Sequence, residues 1–273
     1  MGPKQEVKMN KSPFRYPGSK AKMLPILMEH IDKLMENQST FTDAFVGGGS
    51  VALEVATKYP NATIYLNDKD VWMFSFWDIV CGDATDQLPD LLSLIDQPAT
   101  LEQFYKLRAI EEPDRLQCAY NAIFFNRTTF SGILKSGPIG GKGQKSKYPV
   151  DCRYNAAKIK KKIIAMNKLL SGRTTVDCKD ICDYLPNKTG AIYLDPPYFK
   201  QGKALYTEYM KPAEHEAMAD ILRKKTDWIL SYDDCEQIRM MYDNCYIIDL
   251  AARYCINGKK SSWEKKNELI ILP

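Results

Sequence analysis

Phe41-Thr-Asp43-Ala-Phe45-Val-Gly47-Gly48-Gly49-Ser50 is the stretch on which the architecture of the chain turns. Phe41 to Phe45 reads as a short strand, three glycines follow, and Ser50-Val-Ala-Leu-Glu-Val-Ala opens a helix. Glycines at such a junction let the backbone turn sharply and approach a ligand, with helix amides facing it. Ala62 to Leu66 (ATIYL) alternates and is rich in β-formers, which predicts a second strand. Asp68 follows about twenty residues beyond the loop, at the place where a carboxylate holds ribose hydroxyls. Strand, glycine loop, helix, strand and acid in this order open a parallel α/β sheet and point to a nucleotide-type cofactor. The loop does not name that cofactor. Gly47-x-Gly49-x-x-Ala52 also meets the loose GxGxxA pattern, so nicotinamide and S-adenosylmethionine enzymes both stand open on this feature.

Upstream, Ser12 to Lys20 is turn-rich and leads into a helix predicted from Ala21 to Asn37. Downstream, residues 71 to 126 read as helical with their acidic positions on exposed faces. Gly132 to Tyr154 carries no clear period, mixing Gly137, Gly140, Gly141 and Gly143 with lysines. From Ala157 to Leu170, Ile159, Ile163, Met166 and Leu170 fall on one helical stripe, with Lys158, Lys160, Lys161 and Lys162 elsewhere around it. Strand patterns return at 174–176, 191–194, 228–232, 246–250 and 268–272, with helices at 213–225 and 235–242 between them. The reading is one α/β sheet built from 12–70 and 174–273, interrupted by a mainly helical insert at 71–173, with no internal repeat.

The 273 residues are 45% hydrophobic and 26% charged, which fits one large globular domain with an insert and excludes wholesale disorder. No apolar run approaches the roughly 20 residues that span a bilayer, and the amino terminus has no hydrophobic signal core, so no membrane partner is expected. Eight cysteines without CxxC pairs, and only His30 and His215, predict reduced thiols in a cytoplasmic protein and no metal site. The net charge of +4 hides an asymmetry. Eight acids stand between Asp68 and Glu102 against Lys69 alone, and twelve basic residues between Arg127 and Arg173 against Asp151 alone. A basic block of that size suits a polyanion.

Ile192-Tyr-Leu-Asp195-Pro196-Pro197-Tyr198 decides between the cofactors. Two prolines stop an apolar strand and fix an extended backbone without donors. What remains is an acceptor array, the Asp195 carboxylate and the Pro196 carbonyl beside an aromatic ring. It suits the exocyclic amino group of a planar base stacked on Tyr198. Holding that group reduces its conjugation and turns its lone pair toward an electrophile such as a methyl sulfonium.

With these motifs together, the chain resembles the Dam-type adenine-specific DNA methyltransferases, from about Pro13 to Leu272. The resemblance is carried by Phe14-Arg-Tyr-Pro-Gly-Ser-Lys20, Asp43-x-Phe45-x-Gly47-Gly48-Gly49, Asn67-Asp68, Phe125-Asn-Arg-Thr-Thr-Phe130-Ser-Gly132, Asp195-Pro-Pro-Tyr198 and Lys266-Asn-Glu-Leu-Ile270. It implies a Rossmann-like S-adenosylmethionine-dependent methyltransferase sheet with a final antiparallel strand, and an inserted helical DNA-recognition domain at 71–173. Tyr16, Lys20, Asp43, the backbone from Phe45 through Gly47 to Gly49, Asp68, Asp180, Ile181 and Asp195 would then contact S-adenosylmethionine, with Asp180 at its adenine ring. Asp195, Pro196, Pro197 and Tyr198 would hold the target adenine, with Tyr206 walling its pocket.

The partner so implied is double-stranded DNA, from which the adenine must be flipped. Arg127, Lys135, Lys142, Lys145, Lys147 and Arg153 are spread through a glycine-rich stretch able to follow phosphates. By resemblance, Phe130 enters beside the recognition site, and Arg15, Ser131, Ile133 and Lys135 stand at base-contacting positions. Members that read GATC carry Asn and Arg where Ser131 and Lys135 stand, so the resemblance carries an adenine target and not that sequence. The expected activity is site-specific adenine-N6 methylation by a monomer or weak dimer, with a cognate restriction endonuclease acting separately. The alternatives are cytosine-N4 methylation, against which Asp rather than Ser at position 195 speaks by resemblance, a catalytically silent nucleic-acid binder and a nicotinamide oxidoreductase.

Overall fold

A computed structural model of the protein describes residues 12–15, 20, 23–199, 208–253 and 265–273, with the backbone alone for 251–253 and 265–267. Seven strands, β1 (Thr40–Asp43), β2 (Thr63–Asn67), β3 (Thr174–Asp177), β4 (Ala191–Leu194), β5 (Trp228–Asp233), β6 (Tyr246–Arg253) and β7 (Lys265–Leu272), form one sheet. Their order is β3-β2-β1-β4-β5-β7-β6. The first five run parallel, while β7 pairs antiparallel with both β5 and β6. This is the doubly wound sheet expected from the sequence, closed by the expected antiparallel strand.

The pleat sorts side chains to two covered faces. Phe41, Ala191, Tyr193, Ile229 and Ile270 join one apolar cluster, beneath α1 (Leu24–Met35), α2 (Ser50–Lys58) and α3 (Val71–Cys81). Ala44, Ile192, Leu194, Leu230 and Ile271 join the other, with the helix Pro212–Leu222 and the short helix Glu236–Met241. In α1 the buried positions Leu24, Leu27, Met28, Ile31 and Met35 follow a helical stripe that faces the sheet.

The stretch read as helical from 71 to 126 is divided into α3, α4 (Leu88–Ile95), α5 (Leu101–Arg108) and α6 (Arg115–Thr128). Caps set these boundaries: the side chains of Asp70, Thr100 and Asp114 accept amides at the starts of α3, α5 and α6. The acids here are not all on exposed faces. Asp78 is buried, paired with Arg115 at 2.8 Å and accepting the Asp83 amide, because α3 and α6 pack closely. In α7 (Ala156–Leu170) the predicted stripe of Ile159, Ile163, Met166 and Leu170 is the buried one.

Part of the basic block serves the fold. The Arg173 guanidinium donates to the carbonyls of Ala56 (2.7 Å), Tyr59 (2.9 Å), Ala62 (3.0 Å) and Leu169 (3.1 Å). It thereby closes the end of α2 and ties β2 to the start of β3. Lys160 pairs with Asp96, and Lys162 donates to the Ser12 carbonyl at 2.9 Å. Arg173→Ala should lower stability by about 2–3 kcal/mol in urea unfolding and leave DNA affinity unchanged. A weakened salt dependence of DNA binding in this variant would instead put Arg173 on a phosphate.

Candidate active site

The glycine loop is shaped by a tryptophan. Gly47 and Gly49 take φ of 43° and 68°, and a Cβ on Gly49 would lie 2.3 Å from Trp77 Cζ2. The Trp77 indole nitrogen donates to the Gly47 carbonyl at 2.9 Å, so α3 pins the loop from behind. From the front, the Asp68 carboxylate accepts the Gly47 amide at 2.9 Å and the Asp70 amide at 3.0 Å. Burial and the neighbouring Asp70 push the Asp68 carboxyl up to about 7. Asn67, fully buried, bonds the Ala44 carbonyl and both backbone groups of Lys179, which joins the ends of β1 and β2 to the segment after β3. Asp180 caps the turn at Ile181 through the Cys182 amide and meets Lys69 Nζ at 2.7 Å. Although burial opposes it, these bonds hold its carboxyl below the usual value.

Asp43, at the end of β1, is buried and faces the Phe45 and Ala52 amides; burial and then Asp195 push it up to about 8. Its Oδ1 has no hydrogen-bond partner. Asp43, Gly47, Asp68, Asp180, Ile181 and Asp195 all line one cleft at the carboxyl ends of the parallel strands, where β1 and β4 part their connections. A buried acceptor with an open oxygen, beside a loop whose backbone is bared by glycine, fits a nucleoside carrying a positive centre.

Asp195 lies across the cleft. Lys20 Nζ is 2.8 Å from its Oδ1 and 3.4 Å from Glu268 Oε2, and Lys20 is only 4% exposed. The Tyr198 hydroxyl donates to Glu268 Oε1 at 2.9 Å, with its ring 5.5 Å from the same ammonium. Burial pushes the Asp195 carboxyl up to about 6, against the pull of Lys20. Burial would lower Lys20, yet Asp195, Tyr198 and Glu268 carry it well above its ordinary value. Pro196 is buried, and Pro197 lines the cleft. Tyr16 and Tyr206 lie outside the described residues.

A loop after α6 completes the wall, since Gly132, Ile133 and Leu134 line the same cleft. Asn126, wholly buried, accepts the Arg15 amide at 2.7 Å and donates to the carbonyls of Arg15 and Gly132. Gly132 needs its positive φ, and a Cβ there would meet the Arg15 carbonyl at 2.3 Å. Arg108 Nη2 donates to the carbonyls of Leu134 and Ser136, with the guanidinium over the Phe125 ring. The loop presents Phe130, 60% exposed, with Ser131 and Lys135 exposed beside it. Lys142, Lys145, Lys147 and Arg153 are exposed in the stretch that follows. Arg127 is turned inward, half-buried and donating to the Pro13 carbonyl, and burial followed by Arg15 pushes it down to about 10. Arg15 is half-buried near Arg153, and burial, then Arg153, lowers it too.

Sequence reasoning assigned no role to Trp77, Asn126 or Glu268, all of which hold the site together. Asn126 and Glu268 stood inside the family-like segments Phe125–Gly132 and Lys266–Ile270, and Glu268 is also the acid opening an otherwise apolar run, whereas Trp77 left no signal.

The type II methyltransferase M.MjaIII of Methanocaldococcus jannaschii is 26% identical over 222 residues, which cover 74% of this chain and 75% of that protein. Among solved structures, precorrin-6y C5,15-methyltransferase from Geobacter metallireducens aligns over 95% of this chain and 93% of its own, at 8% identity and a TM-score of 0.39. Human methyltransferase-like protein 13 in complex with SAH aligns over 94% and 82%, at 12% identity and a TM-score of 0.39. The profile of one family matches residues 16–256, from the amino-terminal signature to beyond the catalytic motif. The chain belongs to the D12 class N6 adenine-specific DNA methyltransferases.

Proposed function

We propose that Asp195, Pro196 and Tyr198 hold the amino group of a flipped adenine in double-stranded DNA, across the cleft from Gly47, Asp68 and Asp180. The chain is a DNA adenine-N6 methyltransferase whose methyl donor is S-adenosylmethionine. When bound, that cofactor supplies a methyl electrophile on a sulfonium. Gly47 and Gly49 would lie along its methionine part, Asp68 would take the ribose hydroxyls and Asp180 with Ile181 the adenine edge. Asp43 would offer its open oxygen to the positive end. Lys69, now on Asp180, would have to yield part of that contact.

Lys20 occupies Asp195 Oδ1, and among the described residues Oδ2 has no partner. In this reading Oδ2 and the Pro196 carbonyl accept the two amino hydrogens. They draw the nitrogen out of conjugation and fix its lone pair toward the methyl. A carboxyl titrating at about 6 is ionised at neutral pH and able to accept. The pairing of Asp195 with Lys20 beside Tyr198 is the observation that carries this assignment.

DNA would lie over 129–153, where Phe130 is exposed and the cations face solvent. We infer a division into a catalytic part, 12–70 and 174–273, and a recognition part, 71–173. Within the latter, α3 to α7 serve as the support and 129–153 as the reading surface. Arg15 beside Arg153 suits a phosphate, whereas Arg127 acts as a strut. Free thiols among the described cysteines suit a cytoplasmic setting. No helix among the described residues is long and apolar enough to cross a membrane. The type II name of the Methanocaldococcus relative suits a separately acting restriction endonuclease as a partner, with this chain a monomer or weak dimer.

Asp195→Ala should cut methylation at least about a hundredfold while the protein still folds and binds DNA; unchanged turnover in a filter assay would overturn the assignment. Because the active form of Asp195 is the ionised one, wild-type kcat should fall as pH drops through about 6. With Lys135, Lys142, Lys145, Lys147 and Arg153 on phosphates, log affinity against log salt should slope at about −4 to −5. A slope near zero would take DNA off this surface.

A further inference from the structure

Glu268 is 1% exposed, and its neighbours Leu269, Ile270 and Ile271 are core residues. A carboxylate in such surroundings is costly unless its oxygens are engaged. Oε1 accepts the Tyr198 hydroxyl at 2.9 Å, while Oε2 makes an ion pair with Lys20 Nζ at 3.4 Å, too poorly aligned for a hydrogen bond. Lys20 in turn lies 2.8 Å from Asp195, so one buried ammonium is shared by two carboxylates. The β5–β7 ladder fixes Glu268 opposite Asp233, so its place is set by the sheet and not by a loop.

We propose that Glu268 is a positioning residue for methyl transfer, holding the Tyr198 ring by its hydroxyl and drawing Lys20 so that Asp195 keeps an oxygen for the adenine amino group. The inference rests on the reading of Asp195 and Tyr198 given above. Without Glu268, the ammonium collapses onto Asp195 and weakens it as an acceptor, and the ring beside the base loses its anchor. The charge of Glu268 also bears on Asp195. The groups facing that carboxylate are Lys20 from the amino-terminal segment, Asp43 from β1, Tyr193 from β4, Tyr232 from β5 and Glu268 from β7. Of these, Glu268 is the acid that shares the cation.

Glu268→Gln keeps the size and the acceptor for Tyr198 but removes the charge. Its kcat should fall about tenfold with cofactor affinity unchanged, and its acid limb should move to lower pH than in the wild type. Glu268→Asp, which keeps the charge, should leave the limb in place. Wild-type turnover in Glu268→Gln, or a loss of turnover and melting temperature with the limb unmoved, would overturn the inference and leave Glu268 a structural residue. Should Glu268→Gln fail to fold, Tyr198→Phe releases the same carboxylate from its donor. A fall in kcat without a change in cofactor affinity supports the positioning role, and unchanged kcat overturns it. Asp195→Ala separates the two levels: turnover surviving there defeats the reading of the site, whereas collapse there with an unaffected Glu268→Gln defeats this inference alone.

Discussion

One buried ammonium organises this molecule. Lys20 enters from the amino-terminal segment and lies between Asp195 at the end of β4 and Glu268 on β7. A lone charge at that depth would be expelled or neutralised, so the three groups must come together or not be buried at all. Their meeting joins the start of the chain, the middle of the sheet and its last strand. It also bears on Asp195, one of the carboxylates that line the cleft. Burial pushes the Asp195 carboxyl up and the cation beside it pulls the other way, which leaves it at about 6.

The fold was legible wherever local chemistry and tertiary demand agree. The glycine loop reads correctly because Gly49 has no alternative, with its φ positive and Trp77 against its Cα. The helical stripe of α7 and the alternation of β2 read correctly because periodicity is what burial rewards. The site was legible in its first ring, Asp43, Asp68, Asp180 and Asp195, since these stand at or within three residues of the carboxyl ends of β1, β2, β3 and β4. It was not legible one layer out. Trp77 belongs to a helix thirty residues from the loop it supports, and nothing in Asn126 or Glu268 announces the distant backbone or hydroxyl that it binds.

Charge was the least faithful guide. A count of lysines and arginines cannot tell a cation facing solvent from one that closes a helix end. Arg173, Arg127, Lys160 and Lys162 are engaged with carbonyls or an acid of the chain itself. What survives is a smaller set on a loop whose base is clamped by Asn126 and Arg108 and whose inner face lines the cleft at the ends of the parallel strands. That contiguity, more than the size of the charge, connects sequence reading with chemistry in this enzyme. Family membership selects adenine N6 over cytosine N4 and sets aside the silent binder and the nicotinamide enzyme.

The role of Asp195 depends on the electrostatics around Lys20. Titration of the Asp195 carboxyl by carbon-13 NMR, in the wild-type protein and in Lys20→Met, tests it directly. Asp195 should titrate near pH 6 in the wild type and at distinctly higher pH once the ammonium is gone. A midpoint that does not move on removing Lys20 would show that the cation does not govern Asp195.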